Sequence, residues 1–213
     1  MILKYNKKTY HISLLILVIV FLVGLIGLNT PYQAEFAALT PYTLILSTVL
    51  LLLNHREWNR YFAIFFLFTC ISGFLIELIG IETGLVFGIY SYGSTLGYQV
   101  YNVPVIIGLN WFIMVYSSAM VSNIFRFGIF IKSLIGASLM VIIDYSIEPV
   151  AMSLDFWSWQ DYIIPVQNYI GWFIVAFILN ILFQSLRLKI FNNLAVAVFI
   201  IQYIFFFVLS FTL

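Results

Sequence analysis

The chain is poor in charge. Only 8% of its 213 residues are Asp, Glu, Lys or Arg, against about 25% in soluble domains, which excludes a separate soluble fold and makes lipid the solvent for most of the molecule. Neither sign dominates, with nine Lys and Arg against eight Asp and Glu, so the basic surface that a nucleic-acid partner requires is missing. The single cysteine, Cys70, has no internal disulfide partner and sits in an apolar run, where it reads as a packing residue. No metal-ligand spacing, phosphate loop or nucleophile elbow occurs, so no metal site is expected. His11 and His55 fall at the end of the spans away from the acids and are assigned no chemistry.

What is abundant is apolar surface, at 64% of residues. Apolar runs predict seven transmembrane helices at 12–28, 38–53, 61–81, 104–123, 129–150, 166–186 and 193–211, each near the length of about 20 residues that a bilayer asks for. The expected fold is therefore an all-α polytopic bundle, one integral membrane domain over residues 1–213, multi-pass in the cell membrane. The first run follows Lys4, Lys7 and Lys8 but is longer than a signal-peptide core of about 7–15 residues, so it is expected to be retained as a helix.

The basic residues divide cleanly. Lys4, Lys7 and Lys8 precede the first span, Arg56 and Arg60 join the second and third, Arg126 and Lys132 flank the connection of the fourth and fifth, and Arg187 and Lys189 join the last two. The other connections carry none. The positive-inside rule then predicts a cytoplasmic N-terminus and an external C-terminus. The connections without basic residues, 82–103 and 151–164, are long and aromatic. In the first, Gly84, Gly88, Gly93 and Gly97 fit a close-packed helix, but the intervening tyrosines favour an interfacial or re-entrant loop.

No lysine or arginine lies between 61 and 125 or between 133 and 186, yet acids occur in those spans. At 1.5 Å per residue, Glu77 lies about 24 Å along the third span, Asp144 about 22 Å and Glu148 about 28 Å along the fifth, with Asn110 about 9 Å and Asn168 about 4 Å into spans of opposite direction. Four helices thus offer polar groups to one stratum. An Asp at a span centre costs about 2.5–3.5 kcal/mol on insertion scales and normally faces a cavity or partner. Without basic partners, desolvation favours keeping at least one carboxyl protonated, hence a proton donor. Asp144 and Glu148 are four residues apart and share a helical face, and Pro149 frees the Tyr145 carbonyl beside them. Glu82, Asp155 and Asp161 read as loop and capping acids. Trp111, Trp157, Trp159 and Trp172 read as belt or packing residues.

The stretches ELIGIETGLVFGIYSYGSTLGYQVYNVPVIIGLNWFIM (77–114), DYSIEPVA (144–151), WSW (157–159) and PVQNYIGWF (165–173) together resemble the carotenoid biosynthesis membrane proteins that include carotenoid 1,2-hydratases and bisanhydrobacterioruberin hydratase. The likeness covers about residues 70–175. It implies cofactor-free addition of water across the terminal C1=C2 double bond of an acyclic (ψ) carotenoid end of lycopene or γ-carotene type, with other carotenoid enzymes as possible partners. On that reading Asp144 is the proton donor or its partner, Glu148 and Glu77 activate water or share the proton, and Asn110 and Asn168 position the reactants. Tyr90, Tyr92, Trp111 and Trp172 offer aromatic faces to a cation. Asp144→Asn is then expected to abolish product. A membrane lycopene cyclase begins with the same protonation, and a proton-coupled carrier also uses intramembrane acids. A retinal pump is disfavoured, because the last span has no lysine.

Overall fold

The computed structural model describes residues 7–186, 188 and 191–213, so Lys4, Arg187 and Lys189 of the orientation argument lie outside the described residues. Its helices are α1 (Lys7–Leu28), the short α2 (Gln33–Ala37), α3 (Thr40–Leu53), α4 (Arg60–Thr83), α5 (Ile107–Ser122), α6 (Ile129–Ser153), α7 (Val166–Ser185) and α8 (Asn193–Thr212). The fold is an all-α membrane bundle in which six segments are long and apolar enough to cross a bilayer, with α2 and α3 forming one of them. The seventh, α5, has 16 residues.

Why α5 is short follows from where it sits. Its residues Trp111 to Met120 are all buried, packed by α4, α6, α7 and α8, so it never has to match the hydrocarbon thickness itself. Helix association in lipid depends on close packing rather than on expelling water. Here α4 meets α5 at Gly73, where a Cβ would stand 2.5 Å from Trp111 Cβ. The outer helices turn Ile12, Leu15, Ile64, Ile71, Ile174 and Ile178 outwards, as a lipid-facing surface should.

Local signals place the ends. Asn59 caps α4 by accepting from Phe62 N at 2.9 Å, and Gly84 closes it in a left-handed conformation at φ 65°. Pro41 stands in the first turn of α3, which therefore starts two residues later than the hydropathy suggests. Pro149 does not end α6, which runs on to Ser153.

One end of the bundle gathers the six described basic residues. There Asn54 Nδ2 donates to Ser13 Oγ of α1, Lys132 Nζ reaches back to Asn123 Oδ1, and His55 touches Tyr116. Although the sequence reading gave His55 no role, it is 1% exposed and stacked 3.5 Å from Phe62. Its Nε2–H donates to the Glu57 carbonyl, its Nδ1 accepts from Tyr116, and Asn192 Nδ2 donates to Tyr116 and to Leu51. This node ties the connection before α4 and the residue before α8 to α3 and α5.

The opposite end is closed by strands rather than by a helix. β1 (Tyr90–Tyr92) pairs antiparallel with β4 (Trp157–Trp159), while β2 (Gln99–Val100) and β3 (Val103–Pro104) form a tight hairpin whose turn residues Tyr101 and Asn102 have φ of 50° and 61°. The glycine spacing in 82–103 thus serves a turn-rich cap and not a helix. The Val86 carbonyl packs against Gly171, where a Cβ would stand 2.5 Å away. Gly171 is five residues into α7, about 7 Å along it, so this segment dips into the bundle.

Candidate functional site

The strand cap carries most of the donors of the site. Both strands read aromatic–Ser–aromatic, YSY and WSW, in the register Tyr90↔Trp159, Ser91↔Ser158 and Tyr92↔Trp157. Side chains alternate across a strand, so the serines face away together, their Oγ atoms 3.5 Å apart, and all four rings turn towards the helices.

Below the rings are the acids. Glu77, on the last turns of α4, accepts from Tyr90 OH at 2.5 Å and Tyr92 OH at 2.9 Å on Oε2, and from Trp111 Nε1 at 2.9 Å on Oε1. Glu148, on α6, accepts from Trp157 Nε1 at 2.9 Å and Trp159 Nε1 at 2.6 Å on Oε2, and from Asn168 Nδ2 at 2.8 Å on Oε1. Each carboxyl is buried and met by three donors. Burial pushes the Tyr90 and Tyr92 phenols above their ordinary range, so both hold their protons.

Asp144, one turn before Glu148, is fully buried and accepts from the same Asn168 Nδ2 at 3.0 Å, while its Oδ1 has no partner. Trp111 lies between Phe87 and Trp172, with ring centroids 6.5 Å and 4.5 Å away.

Two cavities adjoin here. A polar one of about 20 Å³ is lined by Glu77, Glu148, Asn168, Tyr90, Tyr92 and Trp172 among others. A larger one of about 300 Å³ is walled mainly by apolar residues of α1, α3, α5, α6 and α8. Ile107, Asn110 and Trp157 line both and form the partition. Ile19, Val23 and Leu39 line the larger cavity and are also about half exposed on the outside of α1 and at the start of α3, at 51%, 50% and 51%. That cavity therefore reaches the lipid-facing surface.

Glu77, Glu148, Asn110, Asn168, Tyr90, Tyr92, Trp111 and Trp172 thus meet in or against one small cavity, from four helices and a strand. Asp144 differs: it joins the cluster through Asn168 but lines neither cavity. Asp155 holds the cap by accepting from Ser94 N at 3.1 Å, and Glu82 and Asp161 are exposed. The sequence reading missed Trp157 and Trp159 as donors to Glu148. Their alternate spacing, matched by Tyr90 and Tyr92, is the signal that marks them as one face of a strand. Among the described residues no group of His, Cys, Asp and Glu suits a metal ion.

A comparison with protein families finds a match to carotenoid biosynthesis protein over residues 38–213. The chain belongs to this family. No curated protein and no solved structure matches it. The matched span reaches beyond the stretches that carried the resemblance, taking in α3 and α8. It contains every residue of the polar cavity, whereas α1, which supplies Ile19, Val23 and Gly24 to the larger cavity, precedes it.

Proposed function

We propose that this family member hydrates the terminal C1=C2 double bond of an acyclic carotenoid end without a cofactor, leaving a tertiary 1-hydroxy group. The observation that carries the reading is the pair of joined cavities. A water needs about 10–15 Å³, so the polar cavity of about 20 Å³ holds about one, between two carboxyls. The larger cavity, about 300 Å³, takes a hydrocarbon end, and a polyene much longer than it keeps most of its length in the lipid.

The two glutamates differ in what surrounds them. Hydroxyls accept as well as donate, so a proton on Glu77 Oε2 has Tyr90 and Tyr92 as acceptors while Oε1 still takes the Trp111 N–H. Glu148 faces only N–H groups, which cannot accept, and so acts as the acceptor. Glu77 therefore delivers a proton to C2 of a chain end held at the partition; the π pair forms the new C–H bond and leaves a tertiary cation at C1, beside Trp157, which borders both cavities. Water bonds to C1 and gives its proton to Glu148. Return of one proton from Glu148 to Glu77 through the cavity they share resets the site, and the net change is addition of one water. In this scheme Asn110 guides the chain end at the partition, and Asp144 is a positioning residue that holds Asn168 against Glu148.

A cyclase would begin with the same protonation but must keep water from the cation, so space for water between the carboxyls favours hydration. With the N-terminus cytoplasmic, as the basic end suggests, the site lies towards the outer face of the cell membrane. The test is to express the chain in a host accumulating lycopene or γ-carotene and to analyse the pigments by liquid chromatography and mass spectrometry. A product heavier by one water is expected. An isomer of unchanged mass would establish the cyclase instead, and unchanged pigments with confirmed insertion would overturn both and leave proton-coupled transport in vesicles to be assayed.

A further inference from the structure

Gln202 stands near the middle of α8, lines the larger cavity and is 4% exposed, yet its Oε1 has no hydrogen-bond partner. An unpaired amide at membrane depth is expensive, because no water from the bilayer core can satisfy it. The walls around it are made mostly of groups such as Phe21, Met114, Phe205 and Phe206, and of the polar lining Thr43 already uses its hydroxyl on the Leu39 carbonyl. A carbonyl oxygen and an amino group together match a hydroxyl, which donates to one and accepts from the other. A hydrocarbon matches neither.

We infer that Gln202 is a specificity-determining residue that hydrogen-bonds a hydroxyl on a polyene lodged in the larger cavity. The identity of that hydroxyl rests on the hydration reading: the new 1-hydroxy group is made at the Ile107–Asn110–Trp157 partition and has to cross an apolar chamber to reach lipid. Gln202 gives it a partner on the way out, which favours withdrawal of the product from the acids and lets the chamber hold hydroxylated ends in preference to plain ones.

The experiment uses the purified full chain in nanodiscs with an equimolar pair of acyclic carotenoids, both with saturated terminal double bonds so that neither can be hydrated, and differing only in the 1-hydroxy groups. Pigment retained per protein is measured after washing. The wild type is expected to enrich the hydroxylated pigment about fivefold, the factor for one neutral hydrogen bond, and Gln202→Met, of similar length, to retain the two equally while holding as much of the hydrocarbon as before. Gln202→Leu repeats the comparison with a different shape, should the first variant lose both pigments through misfolding. No preference in the wild type, or a preference that survives both substitutions, overturns the role of Gln202 while leaving the hydration reading intact. Retention of neither pigment by the wild type overturns the assignment of the cavity to a polyene, and the inference with it.

Discussion

Replacing Glu148 with Gln separates the roles of the neighbouring acids. The carboxyl of Glu148 accepts three N–H groups, from Asn168 at 2.8 Å, Trp157 at 2.9 Å and Trp159 at 2.6 Å. Glutamine has one acceptor oxygen. If that oxygen takes the two indoles, the new amino group faces the amino group of Asn168. Turning the Asn168 amide over relieves that contact but aims its oxygen at Asp144, whose Oδ1 already lacks a partner. One buried polar group is left unsatisfied either way, at about 1–3 kcal/mol, or a fall in melting temperature of roughly 2–12 °C for a chain of this size. Activity falls much further, because an amide cannot take the proton from water, and loss of a general base slows a reaction by about 10²–10⁴-fold. Asp144→Asn is the contrast. It keeps an oxygen for Asn168 and borders neither cavity, so turnover is expected within about tenfold of the wild type, or about 1.4 kcal/mol. The assay is initial-rate formation of hydroxylated pigment per folded protein, with folding followed by size exclusion and thermal melts. The opposite order, with Asp144→Asn inactive and Glu148→Gln above a tenth of wild-type rate, would refute the assignment and return the reaction to Asp144.

Three further outcomes are expected. The double variant Tyr90→Phe, Tyr92→Phe removes both hydroxyls that share a proton with Glu77 and should lower turnover about 10²-fold; an unchanged rate in the same pigment assay would rule out their part in proton delivery. Gly73→Ala places a Cβ 2.5 Å from Trp111 Cβ and Cγ, so α4 and α5 must separate at a cost of about 1–3 kcal/mol, read as a lower melting temperature; a neutral substitution would show that the helices part freely. Burial, opposed by the Glu57 carbonyl and carboxylate, pushes His55 down to about 4. Because the unfolded chain binds that proton near pH 6.5 and the folded one refuses it, stability is full above pH about 6.5 and falls towards pH 4, by about 3 kcal/mol in all. Melts across that range should show the slope, and His55→Gln should flatten it.

The sequence by itself determined the class of fold and the depth of the acids. A charge-poor chain in lipid has to satisfy its backbone within helices, and rise per residue then places Glu77, Asp144, Glu148, Asn110 and Asn168 near one level without knowledge of how the helices pack. The likeness in 77–173 pointed to the family that the match over 38–213 shows. Only the tertiary structure decided which of those groups share a cavity. Depth fixes a coordinate along the membrane normal, but facing depends on helix rotation and on long-range partners. The pairing of Tyr90 with Trp159 and of Tyr92 with Trp157 across β1 and β4, residues 69 and 65 positions apart, therefore stayed invisible while the tryptophans were read as a belt. The same limit explains Asp144, which shares a helix face with Glu148 yet lies behind Asn168. It also explains His55 and Gln202, whose burial comes from neighbours on other helices and leaves no trace in local sequence.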